Sequence, residues 1–337
     1  MLKCVDLFSG CGGLSLGVEL AGFELLCAYE NWDPAIKVYE KNFNHPIYKE
    51  DLTNDELVSR KIKTLSPNLI MGGPPCQDFS SAGKRDVTQG RADLTYHFAN
   101  IACNASPQWF IMENVEQIKK SDILKDIINQ FIKKGYGLSS VILDASLCRV
   151  PQARTRFFLI GNMGDKHNQL NRIFSDKLSD KKMTIRDYLG DSLGVNYYYR
   201  HPRNYNRRGI FSVDEPSPTV RGVNRPVPKG YKVNTCDPEG VNLEGIRPLT
   251  TIERSYLQTF PESFKFTGTK TDLEQMIGNA VPVNLGRFIA EGIIEYLKNG
   301  SREEPTLFDF IDIDSKQDNP FEMPNKALQR TLASSRR

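Results

Sequence analysis

The 337-residue chain contains no run approaching the roughly 20 apolar residues that a membrane-spanning helix needs. Its first residues, MLKCVDLFSG, read as a strand rather than a cleaved leader, so a cytoplasmic protein without membrane contact is expected. Histidine is scarce, at four residues, and the seven cysteines at 4, 11, 27, 76, 103, 148 and 236 include no CxxC pair and no His-x-Cys cluster. That spacing argues against a disulfide scaffold and against a zinc site, and no metal is expected. Internal repeats are absent, and the formal net charge is only +3. What is present is ordinary for a soluble globular protein, 39% hydrophobic and 25% charged residues. The length exceeds what one core usually spans, which predicts one large domain and a smaller one.

The near-neutral total hides a segregation of charge. Between Asn196 and Lys232 stand Arg200, Arg203, Arg207, Arg208, Arg221, Arg225, Lys229 and Lys232 against Asp214 and Glu215, a net +6. Between Ser301 and Glu322 seven acidic residues face Arg302 and Lys316, a net −5. Cations interleaved with tyrosines suit a nucleic acid, because phosphates attract the former and bases stack or hydrogen-bond with the latter. A solvated basic face is the competing explanation.

Apolar runs alternate with helical patterns through the first half, as in a doubly wound α/β domain. LKCVDLF, FELLCAYE, NLIMGG, QWFIMEN, SSVILDA and RFFLIGN read as strands of a parallel sheet. GLSLGVELAG, DPAIKVYEKNF, DLTYHFANIACNAS and SDILKDIINQFIKKG have helical spacing, and Gly135 is placed to end the last. The expected organisation is a Rossmann-like catalytic domain over 1–163, a smaller irregular domain over 164–245, a return to the first domain over 246–300 and a disordered tail over 301–337. Thr250 and Glu253 have capping-box spacing at the start of that return.

The stretch MGGPPCQDFS places Cys76 behind two glycines and two prolines at a predicted strand end. Most single cysteines are small buried hydrophobes. Here the prolines stiffen the chain, and in open α/β sheets the crevice beyond the strand carboxyl ends is where ligands bind. A thiol held there is placed like a nucleophile. Gly10, Gly12 and Gly13 form a glycine-rich first turn, although not a GxGxxG fingerprint. Glu30 ends the second strand, where a carboxylate can accept ribose hydroxyls, and Asp51, after another short extended stretch, is placed to hold an adenine amino group. Glu113 and Asn114 end the next strong strand, and Arg154 and Arg156 alternate onto one face ahead of another.

These motifs together resemble the DNA cytosine-5 methyltransferases of bacterial restriction-modification type, over nearly all of Met1 to Asn299. DLFSGCGGLSLG is similar to the first cofactor motif, GGPPCQDFS to the catalytic Pro-Cys motif, ENV to the glutamate motif and QARTR to the Gln-x-Arg-x-Arg motif. RPLTTIERSYLQTFPE and QMIGNAVPVNLG are similar to the two late motifs. The resemblance implies the S-adenosylmethionine-dependent methyltransferase fold, with S-adenosylmethionine held by Phe8, Ser9, Gly10, Gly12, Gly13, Leu14, Glu30, Asn31, Asp51, Leu52, Pro74, Asn279 and Val281. It implies a monomer acting on double-stranded DNA, with a cognate restriction endonuclease as a functional rather than physical partner. Cys11 stands where a small residue such as Ala is common.

The implied chemistry suits the residue types. Carbon 5 of cytosine is a poor nucleophile until a thiolate, from Cys76, adds to carbon 6. Glu113 would then support ring nitrogen 3. Arg154 would orient Glu113 and bond the ring oxygen, and Arg156 would brace the site near a phosphate or the catalytic loop. Carbon 6 is inaccessible in stacked duplex, so the base must flip out, and the polar stretch from Ser80 to Asp93 reads as a loop closing over it. Among DNA contacts, Ser80 belongs to that loop, Arg207 and Arg208 look like phosphate contacts, and Arg221 and Arg225 look like base readers.

An NAD-dependent oxidoreductase could share the glycine turn and Glu30, but has no use for the later motifs. A transfer-RNA cytosine methyltransferase of the same fold would carry a Cys-Phe-Thr signature, which is absent. A catalytically silent DNA-binding relative would lack some of the chemical residues, all of which stand here.

Overall fold

A computed structural model describes residues 1–75, 94–204 and 207–300. Its centre is β1 (Lys3–Leu7), whose residues after Lys3 are all buried. A strand covered on both faces has no reason to alternate polar and apolar residues, which explains the continuous apolar runs in this part of the sequence. Helix α1 (Gly13–Leu20) follows, then β2 (Glu24–Glu30), α2 (Asp33–Tyr39), β3 (Ile47–Lys49), α3 (Asp55–Leu65), β4 (Leu69–Gly72), α4 (Leu94–Ala105), β5 (Trp109–Asn114), α5 (Asp122–Lys134) and β6 (Tyr136–Asp144). Helix α5 shows how local chemistry sets the boundaries. Ser121 accepts a hydrogen bond from the Leu124 amide, Asp122 and Lys133/Lys134 complement the helix dipole, and Gly135 closes the helix at φ 98°.

The seven-stranded sheet has the order β3-β2-β1-β4-β5-β8-β6 once β7 (Gln152–Ala153) and β8 (Thr155–Met163) are added. All neighbours in it are parallel except around β8, which runs antiparallel to both β5 and β6. The sheet is therefore not wholly parallel, as expected from the sequence, and β3 joins it as a seventh strand. The reason is chain length. Parallel neighbours need a crossover of a dozen or more residues, and the short link from Asp144 to Thr155 allows only a reversal. Strand alternation sends Cys4, Leu69, Met71, Trp109 and Ile111 to one core and Val5, Leu7, Ile70, Phe110 and Met112 to the other.

Beyond β8, α6 (Asn171–Lys177) packs Phe174 on Phe288, so this segment shares the main core. Then come α7 (Ile185–Leu189), the antiparallel pair β9 (Tyr197–Tyr199) and β10 (Ile210–Ser212), and β11 (Ser217–Pro218), which pairs with β7. Between β11 and Thr250 the chain has little regular structure, in keeping with its Pro- and Gly-rich composition. Asp237 organises part of it by accepting from the amides of Gly209, Ile210 and Asn234 and from the Tyr231 hydroxyl. Regular helices return as α8 (Thr251–Leu257), α9 (Lys270–Asn279) and α10 (Val283–Asn299). The Thr250/Glu253 capping box is formed in both directions. Among the described residues, no helix is long and apolar enough to cross a membrane.

Candidate active site

A cleft of about 440 Å³ opens beyond the carboxyl ends of β1, β2, β4 and β5, within the usual range of roughly 300 to 1,000 Å³ for ligand sites. It straddles β1 and β4, where the strand order reverses direction, which is the expected place for a ligand in this topology. Phe8, Ser9, Gly10, Gly13, Leu14, Glu30, Pro74, Asn279 and Val281 line it, together with Glu113, Arg154 and Arg156.

One end of the cleft is built around Glu30. Its Oε2 accepts from the Gly10 amide at 2.8 Å, and its Oε1 accepts from the amides of Asn31 and Trp32 at 2.8 and 3.0 Å. Three backbone donors thus fix a carboxylate at the end of β2, with remaining lone pairs for a ligand's hydroxyls. Trp32 supplies a flat indole to the same wall. Phe8 sits at φ 57°, an uncommon conformation for an aromatic residue and one that clusters at functional sites. Buried polar atoms without a partner among the described residues include Asp6 Oδ1 and Ser9 Oγ, both from cleft residues. Orphaned acceptors beside a positioned carboxylate and an aromatic face fit a nucleoside bearing a cationic group, and hence S-adenosylmethionine.

Four residues expected at the cofactor are not among those lining the cleft. Gly12 adopts φ 95°, and a Cβ there would lie 2.3 Å from the Phe43 ring, so this glycine serves the turn and the protein's own packing. Asn31 is exposed, and its amide supports Glu30. Asp51 is exposed and accepts from the Thr53 amide, a bond that holds its carboxyl below the usual range. Leu52 is buried in the core beneath the sheet. Conversely, Asp6, Trp32, Val115, Met276 and Gly278 line the cleft without having been singled out from the sequence. An acid inside the apolar run VDLF and an aromatic two residues after Glu30 were the available signals.

At the other end, Glu113 Oε1 lies 2.9 Å from Arg156 Nε, both largely buried. Gly73 approaches this pair so closely that a Cβ would stand 2.9 Å from Glu113 Oε2. Asn114, fully enclosed, donates to the Pro74 carbonyl at 3.3 Å and so ties the end of β5 to the Pro-Pro segment. Cys76 and Ser80 lie outside the described residues.

The arginine paired with Glu113 is Arg156, where Arg154 was expected. The antiparallel register sets Glu113 opposite Phe158 and Asn114 opposite Phe157, which brings the start of β8 to the carboxyl end of β5. Arg156 therefore reaches Glu113. Arg154, 2% exposed, turns instead to the carbonyls of Val220, Gly278 and Asn279. Burial and Arg156 press its guanidinium well below its usual value, while Glu113 opposes them. Arg154 thus ties the β11 segment to the late segment that lines the cleft. Gln152 reinforces this by accepting from the Val220 amide at 2.8 Å and donating to Gln258 at 2.7 Å.

Two of the arginines expected at DNA are committed within the protein. Arg208 makes a two-pronged ion pair with Glu215 and lies over the Phe211 ring. Arg221 donates to the His201 carbonyl, and its own carbonyl accepts from Arg254. Neither is a side chain projecting from an open loop. Arg207 and Arg225 are exposed.

The chain is 71% identical over 301 residues to type II methyltransferase M.HindV of Haemophilus influenzae, covering 89% of this chain and 99% of the relative. It is 53% identical over 306 residues to type II methyltransferase M.HgiDI of Herpetosiphon aurantiacus, covering 91% and 98%. In fold it is similar to the S. pombe Dnmt2 methyltransferase (TM-score 0.65, 17% identity, 88% of this chain and 99% of that one). The Entamoeba histolytica methyltransferase EhMeth is comparably similar (TM-score 0.64, 19% identity, 88% and 99%). With residues 2–295 matching its sequence model, the chain belongs to the C-5 cytosine-specific DNA methylase family and is an S-adenosylmethionine-dependent DNA cytosine-5 methyltransferase.

Proposed function

We propose that the protein methylates one cytosine of a specific double-stranded sequence through a covalent Cys76 adduct, and that this protects host DNA from a cognate endonuclease. The observation that carries the mechanism is the Glu113–Arg156 pair packed against Gly73, at the head of the Pro74-Pro75 segment that leads into Cys76. S-adenosylmethionine supplies an electrophilic methyl group on a sulfonium. The Cys76 thiolate adds to carbon 6 of the flipped base, and the displaced ring electrons are stabilised as Glu113 gives a proton or hydrogen bond to nitrogen 3. Carbon 5 takes the methyl group and then loses its proton to water, the electron pair left behind expels the Cys76 thiolate, and nitrogen 3 returns any proton it took to Glu113 as the aromatic ring is restored. Arg156 holds Glu113 in place throughout. The protective role is supported by the type II methyltransferases that the chain resembles. Expression in a methylation-free host, with 5-methylcytosine mapped by bisulfite sequencing, tests the activity. Methylation absent, or scattered without a common sequence, would refute it. Resistance of that DNA to an endonuclease of the same site tests the protective role.

Cofactor placement has its own test. Glu30→Ala removes hydrogen bonds to a charged acceptor worth about 1.5–3 kcal/mol, so S-adenosylmethionine affinity is expected to fall roughly 10- to 100-fold. DNA affinity without cofactor should hold. Calorimetry on the folded variant would contradict the placement if cofactor affinity held and DNA binding fell.

Target reading is ascribed to the segment between about residues 164 and 245, and most densely to residues 219–231. Arg225→Ala is expected to relax discrimination at one base pair by about 1–3 kcal/mol. Arg207→Ala should weaken all sequences alike and reduce the salt slope by about 1. Arg208→Ala and Arg221→Ala, which break contacts inside the protein, should instead lower thermal stability. Methylation of the mapped site against its single-base variants separates the three patterns. Unchanged affinity and preference in both Arg225→Ala and Arg207→Ala would return the basic stretch to a solvated face.

A further inference from the structure

Among the described residues, Asp6 is the one cleft-lining acid that the chemistry above leaves unused. It is 1% exposed, at the end of β1, in a position where a charged carboxylate should not persist without compensation. Its Oδ2 accepts from the Ser15 hydroxyl, and its Oδ1 has no partner among the described residues. Ser15 in turn accepts from the Tyr39 hydroxyl at 2.8 Å, and Tyr39 Oη lies 2.8 Å from His45 Nε2. Each hydroxyl has a single proton to give. With Asp6 ionised, the Ser15 proton goes to Asp6 and the Tyr39 proton to Ser15, so the last contact requires a proton on His45 Nε2. The result is a file of donors, all pointing one way, from half-buried His45 to the acid in the cleft.

We propose that Asp6 reads the charge on the cofactor's sulfur, favouring the sulfonium of S-adenosylmethionine over the neutral thioether left after methyl transfer, and that it exchanges its proton along Ser15, Tyr39 and His45. Loss of the methyl cation turns a positively charged sulfur into a neutral one, with the rest of the molecule unchanged. A buried carboxylate facing the cleft is stabilised by the first and not by the second. When the positive charge is gone, a solvent proton enters through His45, each hydroxyl passes one proton forward, and Asp6 ends as a neutral acid. Product then leaves a site that no longer holds an uncompensated charge.

The surroundings fit this exchange. The ionisable groups around Asp6 and the file are Glu30 at the end of β2, Cys4 on the same strand, Glu19 on α1, Tyr39 on α2 and His45 after it. Burial, with Glu30 adding to it, raises the Asp6 carboxyl to about 7, while Ser15 pulls it down. Burial lowers the His45 imidazole and raises the Tyr39 phenol, so both stay neutral near pH 7. The sign follows. A group half protonated near pH 7 must release its proton to favour a cation, so S-adenosylmethionine binding should tighten as pH rises through 7. S-adenosylhomocysteine binding should not gain from this source.

The proposal rests on the cleft being the cofactor site, and its test keeps the two readings apart. Titration calorimetry with S-adenosylmethionine and S-adenosylhomocysteine is run from pH 6 to 8.5 on the intact protein, Asp6→Asn, Ser15→Ala and Glu30→Ala. In the intact protein the ratio of the two dissociation constants should shift toward S-adenosylmethionine by on the order of tenfold across this range. Asp6→Asn should leave a smaller ratio, with that pH dependence removed. Ser15→Ala takes away the donor that stabilises the carboxylate and should move the midpoint to higher pH, an effect that a packing role would not produce. Glu30→Ala should weaken both ligands alike. Should Asp6→Asn fail to fold, the Ser15→Ala midpoint decides. A ratio that keeps its pH dependence in Asp6→Asn, or a midpoint unmoved in Ser15→Ala, overturns the role of Asp6 alone. Failure of Glu30→Ala to weaken either ligand overturns the cofactor site and the proposal with it.

Discussion

Cys76→Ser is expected to reduce methyl transfer by on the order of 10⁴-fold or more, the scale seen when an enzyme loses a covalent nucleophile. A hydroxyl at neutral pH is far less nucleophilic than a thiolate. S-adenosylmethionine affinity should be nearly unchanged, because Glu30, Trp32 and the first turn hold the other end of the cleft. The remaining cysteines support the assignment. Cys4, Cys11, Cys27, Cys103 and Cys148 are buried, and burial pushes their thiols up, to about 12 for Cys11 and about 11 for Cys27 and Cys103. Cys236 is exposed in the irregular segment and is not among the residues lining the cleft. DNA carrying 5-fluorocytosine should accumulate a covalent complex with the intact protein, since fluorine cannot leave carbon 5 as a proton does. Peptide mapping should place the attachment at Cys76. Normal turnover by the serine variant, or a trapped complex that persists in it, would show that another group attacks the ring.

Much of this site is legible in the sequence, and the parts that are not depend mostly on contacts between distant segments. Apolar runs ending in Gly72, Glu30 and Asn114 marked strand ends, because a strand buried on both faces advertises itself and its polar terminus equally well. The capping box at Thr250 was legible because its two partners lie three residues apart. Which arginine meets Glu113 was not, since alternation along QARTR leaves the direction of β8 undetermined, and direction follows from pairing with distant strands. The same holds for Arg208 and Arg221. Their partners, Glu215 and the His201 carbonyl, are set by how an irregular segment folds back on itself, and a count of basic residues carries no trace of it. Trp32 and Asp6 were missed for another reason, that each is ordinary in its local setting and becomes informative only beside the cleft.

The pairing of Glu113 with Arg156 bears directly on the second large expected effect. Glu113→Gln is expected to lower turnover by roughly 10² to 10⁴-fold, the usual worth of a positioned acid–base group. The substitution keeps an oxygen that can accept from Arg156 Nε, now 2.9 Å from the carboxylate, and keeps a donor for ring nitrogen 3. What it removes is a transferable proton, so retention of full activity would mean that a hydrogen bond alone suffices. Arg156→Ala acts differently. It leaves Glu113 largely buried without its cation, and breaking such a pair costs about 3–5 kcal/mol, which urea denaturation can measure. Combining the two changes should cost less than the sum of each, because the neutral amide no longer needs the cation. Additive losses would mean that the ion pair contributes nothing to the placement of Glu113. Arg154→Ala should couple more weakly with Glu113→Gln, since its hydrogen-bond partners are the carbonyls of Val220, Gly278 and Asn279 and Glu113 reaches it through charge alone. Its cost should instead fall on the joint between the β11 segment and the cofactor wall, so that a change made for chemistry and a change made for architecture separate in a single set of double-mutant cycles.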